Sequence, residues 1–329
     1  MRRILVIRLS ALGDVAILAP VLRQRAAANP DVVFVVAGPP LLEPLFGDIP
    51  NVQYAGLDKR QGTWHIFKTL RNIEADAVAD LHVVNRVTVA LLLLRLHHWL
   101  RLDFGVRFCA LRKGRRSRRR MLTHRDMTPR RPQWQRYDDV FARLGLKGAA
   151  VEPCLQPKPR AGSQCTVGVA PYAQHSGKVW PLERTAQLVR MLAETGHRVL
   201  LFGSRAEAAT LQPWADGCEG VQVVAGKGSF EQELKAIAGL DIMVSMDSAN
   251  MHFASALGVP VVSIWGATHP DFGFYGFGQP RSAALCTGLR CQPCSAFGQR
   301  KCRFGTYQCL TDITPQMAFE RVEDMLKSL

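Results

Sequence analysis

The chain has 329 residues, enough for two domains of ordinary size, and 47% hydrophobic with 21% charged residues is the composition of a globular protein with buried cores. This composition excludes a disordered or fibrous chain. The longest apolar run, VTVALLLL, is far shorter than the roughly 20 residues that a membrane span needs. Because the N-terminus has only four apolar residues between arginines, it lacks the apolar region of a signal peptide, and we expect a cytoplasmic protein.

The net charge of +15 is concentrated in one stretch. Twelve Lys or Arg residues lie between Arg107 and Arg136 against a single acid, Asp126. Like charges repel, which predicts a solvated loop over residues 107–133, called the basic segment below. Its function would be attraction to an anionic surface. Nucleic acid is the less favoured partner, because LRKGRRSRRR has no interleaved aromatic residues, and a membrane that carries a phosphorylated glycolipid is favoured.

Apolar runs of strand length alternate with stretches of helix length in the first half of the chain. The predicted strands are ILVIR, VVFVVAG, VQYAG, DAVADLH and RLDFGV, and the clearest helices are at 15–28 and 85–97. The stretch VTVALLLLRLHHWL at 87–100 is interpreted as core. After the basic segment, WQRYDDVFARLG at 134–145 is predicted as a further helix. Such alternation is typical of parallel sheets covered by helices.

A proline-rich stretch without periodicity predicts a linker at 151–164. The alternation then restarts with strands TVGVAP, HRVLLFG, VQVVAG, DIMVSMD and VVSIWG, and a final helix is predicted at 315–329. The sequence therefore predicts an α/β fold of two doubly wound domains, 1–150 and 165–329, with the basic segment in the first. Two open parallel sheets that face each other leave a cleft at the carboxyl ends of their strands, where ligands bind in this class of fold.

Common phosphate-binding signatures are absent from the sequence. There is no G-x-x-x-x-G-K-[ST], and the first strand-to-helix turn, SALGD, has one glycine instead of the three of G-x-G-x-x-G. These absences disfavour a P-loop NTPase and a dinucleotide dehydrogenase. No D-x-D pair is present to hold a divalent metal against a diphosphate, so phosphate binding would use cations and helix N-termini.

Polar residues follow several predicted strands. Asp14 begins a helix after the first strand, where a first-turn acid that complements the helix dipole is the simpler interpretation. Its position after the first strand of a doubly wound domain nevertheless directs it to the ligand crevice. In the second half, Lys178 follows the first strand, Glu207 begins a later helix, and Asp247 and Ser248 lie at a helix N-cap, with His252 in the same helix. Each of these residues taken alone could have a purely structural role. Their shared position at strand ends predicts that together they form one site.

Three motifs resemble those of glycosyltransferase family 9, the ADP-heptose:lipopolysaccharide heptosyltransferases and their relatives: RLSALGDV, KVWP at 178–181, and DSANMHFASALGVPVVSIWGATHP at 247–270. Their order and spacing match over nearly the whole chain, most weakly at 107–160. The resemblance implies a GT-B architecture of two Rossmann-like domains around a central cleft, with acceptor bound mainly by the N-terminal domain and nucleotide sugar by the C-terminal one. It also implies inverting transfer that needs no metal and no cofactor besides the nucleotide-sugar co-substrate.

The resemblance also implies a role for each matching residue. Asp14 matches the general base for the acceptor hydroxyl, Lys178 the lysine that meets the donor diphosphate, and Glu207 the glutamate that contacts the nucleotide ribose. The remaining matches are Asp247, Ser248 and Ala249 at the donor phosphates, with His252 alongside, and Ser10 and Gly13 on the acceptor side. The acceptor implied is a lipopolysaccharide core or related anionic glycolipid, which would place the protein peripherally on the inner face of the cytoplasmic membrane.

Three alternatives stay open from the sequence. The stretch PYAQHSGK departs from the small or hydroxyl residues that heptosyltransferases commonly have before this lysine, which leaves two donor classes open, ADP-heptose and another nucleotide sugar. A sugar-nucleotide enzyme of the same architecture would instead epimerise or hydrolyse its substrate. A basic nucleic-acid-binding protein would show salt-sensitive binding with no dependence on Asp14.

The nine cysteines, in a chain without a secretion signal, indicate reduced thiols. Four of them, Cys291, Cys294, Cys302 and Cys309, follow one another at a density that suits zinc, and the C-x-x-C half has suitable spacing. The second half lacks the tight C-x-x-C of a zinc ribbon. We therefore favour a structural loop before the final helix over a zinc site.

Overall fold

The computed structural model describes residues 1–58, 60–153, 155 and 164–328. The chain forms two units, Met1–Gly114 with Arg131–Val151, and Arg115–Arg130 with Glu152–Leu329. Each is described separately below. Most of the predicted linker 151–164 lies outside the described residues.

The first unit contains a five-stranded parallel sheet. Its strands are β1 (Arg2–Ile7), β2 (Val32–Gly38), β3 (Val52–Gly56), β4 (Ala77–Asp80) and β5 (Arg107–Ala110). They lie in the order β3-β2-β1-β4-β5, so the chain winds outward from β1 on one side and then returns to β4 on the other. Ligand crevices of doubly wound sheets form at the carboxyl ends of the strands where the winding reverses, here between β1 and β4.

The second unit contains a six-stranded parallel sheet. Its strands are β6 (Thr166–Ala170), β7 (Arg198–Leu201), β8 (Val221–Val223), β9 (Ile242–Met246), β10 (Val261–Trp265) and β11 (Ala284–Cys286). The order is β11-β10-β9-β6-β7-β8, and the winding reverses between β6 and β9. The strand β11 has only three residues, too few for its apolar pattern to mark it in the sequence.

Helices connect most of these strands. In chain order they are α1 (Leu12–Ala28), α2 (Thr63–Arg71), α3 (Asn85–Leu100), α4 (Arg115–Leu122), α5 (Gln133–Arg143), α6 (Leu182–Glu194), α7 (Ala208–Ala215), α8 (Phe230–Ala238), α9 (Ala249–Ala256), α10 (Gln308–Thr311) and α11 (Pro315–Ser328). None of the helices in the described part of the chain is long and apolar enough to cross a bilayer.

The core of the first unit lies on both faces of its sheet. Leu5 and Ile7 of β1 are fully buried in one cluster with Phe67 of α2 and residues of α3. On the other face, the ring of Phe34 in β2 makes an edge contact with Phe141 of α5, with 6.2 Å between ring centroids. Strands buried on both faces explain why the sequence shows continuous apolar runs rather than alternation.

Two predictions in the first half need correction. The fifth strand is Arg107–Ala110 and not RLDFGV, because Leu102 and Phe104 of that stretch are 76% and 69% exposed. The basic segment is not simply a loop, since eight of its residues form α4, on which Met121 is fully buried. Arginine has a high helix propensity, so one buried apolar residue suffices to orient a helix of this composition.

Part of the basic segment also belongs to a different unit from the one predicted. Residues Arg115–Arg130 group with the second unit instead of the first. The guanidinium carbon of Arg118 lies 5.8 Å from the ring centroid of Phe274, and the amide of Arg130 donates to the Asp271 carbonyl at 2.8 Å. These contacts link the segment to the stretch after β10.

Candidate functional site

The turn between β1 and α1 holds an ion pair at the carboxyl edge of the first sheet. Arg8, 8% exposed, donates through Nη2 to Asp14 Oδ2 and through Nη1 to the carbonyl of Leu81. The same Asp14 oxygen lies 3.4 Å from the amide nitrogen of Ala11, the N-cap of α1. Within the described residues, Asp14 Oδ1 accepts no hydrogen bond, and the Asp14 side chain is 18% exposed. One carboxylate oxygen is therefore held in place and the other is available to a ligand.

Tyr137 and Asp80, from other elements of the first unit, also act on this ion pair. Burial lowers the pKa of Arg8, but Tyr137, Asp14 and Asp80 outweigh it and raise that pKa above its ordinary value, so the guanidinium stays charged. The hydroxyl of Tyr137, on α5, donates to the backbone carbonyl of Asp14 at 3.1 Å, and burial raises the pKa of this hydroxyl. Because Tyr137 lies far along the chain, only the fold reveals its role. Arg8 is close enough in sequence for strand-end reasoning to have found it.

Asp80 closes the same edge at the end of β4. It is buried, and its Oδ1 accepts hydrogen bonds from the amides of His82 at 2.9 Å and Val83 at 2.8 Å. Burial raises the pKa of Asp80, and the two amide bonds only partly oppose that effect. Asp80 is thus a structural acid that shapes the chain after β4.

In the second unit, Lys178 and Asp247 form an ion pair where the winding reverses. Lys178 ends the short 3-10 helix Ser176–Lys178 after β6, and Asp247 follows β9. Because β6 and β9 are neighbours, Lys178 Nζ lies 3.1 Å from Asp247 Oδ2. The Asp247 carboxylate is buried and also accepts a hydrogen bond from Thr268 Oγ1 at 2.8 Å. Thr268, which follows β10, was not among the predicted site residues.

The N-terminus of α9 lies directly beside this pair along the chain. Ser248 is the N-cap, as predicted, and Ala249 is the first helical residue. Ser248 makes no side-chain cap bond, and its Oγ lies 3.2 Å from Ser245 Oγ instead. The first-turn amides thus do not receive the acceptor that an N-cap serine usually provides, and such amides attract anions. His252 is buried in the same helix.

The stem of Lys178 is held by close backbone contacts that require glycine. A Cβ on Gly298 would lie 2.4 Å from Lys178 Cγ, and a Cβ on Gly177 would lie 2.6 Å from the Gly298 carbonyl oxygen. The Ala267 amide donates to the Gly177 carbonyl at 2.7 Å, and the Cys294 amide donates to the Ala267 carbonyl at 3.0 Å. The cysteine-containing loop between β11 and α10 therefore supports the turn that presents Lys178.

Within this loop, the thiols of Cys291, Cys294, Cys302 and Cys309 line one cavity of about 20 Å³. All four are free cysteines. Burial raises the pKa of Cys309 to about 12, whereas hydrogen bonds from backbone amides, that of Tyr307 foremost, lower the pKa of Cys302. In the part of the chain that the structure describes, no group of three or more His, Cys, Asp or Glu residues is arranged to hold a metal ion.

Glu207 lies at the next strand end. It is the N-cap residue of α7, after β7, and its Oε2 accepts a hydrogen bond from the Ser204 amide at 2.7 Å. The pKa of Tyr172, which follows the neighbouring strand β6, is raised by burial and by the charge of Glu207. No hydrogen bond or ion pair between described residues joins Glu207 to Lys178. On the other sheet, Ser10 and Gly13 border Asp14 along the chain, and both are partly exposed.

Comparison with known proteins shows the family of the chain. A family model described as glycosyltransferase family 9 (heptosyltransferase) matches residues 63–307. Lipopolysaccharide heptosyltransferase 2 of Salmonella typhimurium is 31% identical over 169 residues, which cover 49% of this chain and 46% of that protein. The chain thus spans about half the length of the relatives that it matches in sequence.

Solved structures are similar over nearly the whole chain. Escherichia coli ADP-heptose lipopolysaccharide heptosyltransferase II matches with a TM-score of 0.70 and 22% identity, covering 100% of this chain and 99% of that one. A family 9 glycosyltransferase from Veillonella parvula matches with a TM-score of 0.73 and 19% identity, covering 100% and 98%. An iron-containing dodecameric glycosyltransferase from enterotoxigenic E. coli reaches 0.57 at 14% identity, covering 99% and 76%. These likenesses confirm the predicted GT-B fold class.

Proposed function

Because the chain belongs to glycosyltransferase family 9, we propose that it is an inverting glycosyltransferase that moves a sugar from a nucleotide-sugar donor to a glycolipid. The donor we propose first is ADP-heptose and the acceptor a lipopolysaccharide core, since the similar proteins are named for that chemistry. The observation that carries the proposal is the pair of Lys178 with buried Asp247 beside the N-terminus of α9.

The second unit, which contains the predicted domain 165–329, would bind the donor. A nucleoside diphosphate leaving group carries negative charge that grows as the bond to the sugar breaks. The ammonium of Lys178 and the first-turn amides of α9, starting at Ala249, can stabilise that charge. Asp247 and Thr268 keep the lysine in position. Glu207 would accept hydrogen bonds from the ribose, and Ser248 and His252 would line the same donor site.

The first unit, which contains most of the predicted domain 1–150, would bind the acceptor, with Ser10 and Gly13 bordering it. Inverting transfer is a single displacement at the anomeric carbon, so it needs a base that takes the proton of the attacking hydroxyl. Asp14 is suited to that role, because Arg8 holds its Oδ2 while Oδ1 accepts no hydrogen bond from the described residues. Tyr137 fixes the backbone at the same residue.

We propose further that transfer needs no metal and no cofactor. Lys178 and the N-terminus of α9 supply the positive charge that a divalent cation supplies in D-x-D enzymes. We therefore expect the transfer rate to stay within about twofold when excess EDTA is present. Loss of a catalytic acid or base would lower the rate much more, by roughly 100-fold or above. Loss of activity in EDTA, restored by one divalent metal, would refute this point.

The first experiment identifies the donor by thermal shift. A ligand that binds only the folded protein raises the melting temperature, and saturation at about 100 times Kd stabilises by about 2.7 kcal/mol. We expect ADP and ADP-heptose to raise it more than GDP or UDP and their sugars. A larger shift with a GDP- or UDP-sugar would replace ADP-heptose by that donor.

Product analysis then distinguishes the reaction types. We expect a glycosylated product only when donor and lipopolysaccharide-core acceptor are both present. An epimerised or hydrolysed sugar nucleotide without acceptor would assign the chain to the alternative enzyme class. Tight RNA or DNA binding without turnover of any sugar nucleotide would favour the nucleic-acid-binding alternative.

A further inference from the structure

The outward face of α3 carries large apolar side chains that stay about half exposed or more among the described residues. The inward face is core as expected, with Val87, Ala90, Leu91 and Leu94 buried. The remaining apolar residues are exposed by about half or more of their surface. They are Val89 (47%), Leu92 (56%), Leu96 (50%), Trp99 (60%) and Leu100 (66%), and Phe104 (69%) follows shortly after the helix. The sequence interpretation of this stretch as core therefore accounts for only one side of the helix.

These six residues are called the α3 face below, and the five that belong to α3 form a stripe along the helix. The positions 89, 92, 96 and 99 recur at intervals of three or four residues, and 100 follows 96 by four, so these side chains share one side of α3. Single exposed apolar residues need no explanation, but a continuous apolar stripe on a protein surface indicates a binding surface. Its length is about 16 Å from Val89 to Leu100 at 1.5 Å per residue.

The charges around the α3 face indicate which partner it fits. The helix contains no acidic residue, whereas Arg86, Arg95 and the following Arg101 are all exposed. An apolar stripe with tryptophan and flanking arginines is typical of helices that lie in the interface of an anionic bilayer. Two copies of this chain, each with a net charge of +15, would bring like charges together on the same stripe.

We propose that the α3 face inserts into the interface of a bilayer that contains anionic lipid. The apolar side chains would enter the boundary between headgroups and acyl chains, and the arginines would contact lipid phosphates. The purpose of this binding rests on the proposed function, because a glycolipid acceptor lies in a membrane. The binding itself involves neither donor nor acceptor, so it is measured without transfer.

The test is cosedimentation of the full chain with phosphatidylcholine vesicles that contain or lack phosphatidylglycerol. The variant is Leu92→Glu with Leu96→Glu, which places two carboxylates in the stripe. The matched control is Leu41→Glu with Met317→Glu, because these residues are also about half exposed, at 50% and 44%, and the change in net charge is equal. We expect the α3 variant to bind anionic vesicles at least about tenfold more weakly and the control to change by less than about twofold.

A second measurement does not depend on the glutamate variants. Trp99 fluorescence, taken as the difference between the wild-type chain and Trp99→Phe, should shift to shorter wavelength when anionic vesicles are added. Equal binding of α3 variant and control, or no shift of the Trp99 signal, would overturn the proposal. A third result would also overturn it: the wild type binds no vesicles and is a dimer, and the α3 variant is a monomer. A second copy of the chain would then cover the stripe. Failure of sugar transfer alone would affect only the proposed function.

Discussion

Each of the two sheets has an ion pair where its winding reverses, and the two pairs differ in which partner is the more buried. In each, a basic residue and an aspartate form an ion pair at the carboxyl edge of the sheet: Arg8 with Asp14, both after β1, and Lys178 after β6 with Asp247 after β9. In the first pair the arginine is the more buried side chain, 10% exposed against 18% for Asp14. In the second the aspartate is the more buried, 11% exposed against 16% for Lys178.

This difference indicates different tasks. The buried member of each pair is anchored by a further bond, Arg8 by the carbonyl of Leu81 and Asp247 by the hydroxyl of Thr268. The more exposed member is a carboxylate in the first unit and an ammonium in the second. A carboxylate is suited to take a proton and an ammonium to meet a phosphate, which is the division that an inverting transfer requires.

The largest effect is expected for Asp14→Asn. The amide oxygen of asparagine can still accept the hydrogen bond from Arg8, but the residue cannot take a proton. We expect kcat to fall by roughly 100- to 10,000-fold while ADP binding, measured by calorimetry, stays unchanged. Asp48→Asn is the control, because Asp48 also pairs with an arginine, Arg23, but is 69% exposed. Unchanged turnover in Asp14→Asn would refute the proposal that Asp14 is the general base for the acceptor hydroxyl.

The next largest effect is expected for Lys178→Ala. The variant loses the ammonium that we propose to contact the donor diphosphate, and it leaves the buried Asp247 carboxylate with the hydrogen bond from Thr268 among the described residues. We expect ADP to bind about 10- to 100-fold more weakly in a calorimetric titration. Lys235→Ala is the control, since Lys235 pairs with Glu231 at the surface and is 73% exposed. Equal affinity in the two variants would show that the second pair has no donor role.

A smaller effect is expected for Tyr137→Phe, which removes the hydrogen bond to the Asp14 carbonyl. The free energy of unfolding should fall by about 1 kcal/mol in urea titration, because the bond from the Tyr137 hydroxyl to a partly buried carbonyl is lost. Tyr275→Phe removes a more exposed hydroxyl–carbonyl bond, from Tyr275 to the Pro280 carbonyl at 2.8 Å in the other unit. We expect a smaller loss of stability in Tyr275→Phe and a lower kcat only in Tyr137→Phe. An equal kcat in the two would limit Tyr137 to a structural role.

The smallest effect is expected for the pH dependence of stability. Because burial raises the pKa of Asp80, the folded state holds the proton more tightly than the unfolded state. The resulting stabilisation is present below about pH 4, the ordinary carboxyl range, and is lost as the pH rises through the raised pKa. Asp80→Asn cannot ionise and can still accept both amide bonds at its oxygen. Relative to Asp80→Asn, the wild type should lose stability as the pH rises, measured by thermal unfolding, and parallel profiles would contradict this.

Much of the fold and of the candidate site could be predicted from the sequence. The apolar runs of β1, β2 and β6 mark buried parallel strands, and residues directly after such strands must lie at one edge of the sheet. Asp14, Lys178 and Asp247 were predicted at their strand ends for that reason. The prediction of RLDFGV as a strand was wrong, because its apolar residues Leu102 and Phe104 are exposed. The strand β5 follows it at the edge of the sheet and has no fully buried residue that would mark it in the sequence.

The sequence alone determined which residues are apolar, which are charged and how they are spaced, because these properties set the helix and strand periods locally. Only the tertiary structure decided which partners they meet. Tyr137 contacts the Asp14 backbone across 123 positions and Thr268 reaches Asp247 across 21, since packing of α5 and the adjacency of β9 and β10 bring them together. The same reason applies to α3: its pattern shows apolar residues on two sides, but only the tertiary structure shows that the described residues leave one of those sides largely exposed.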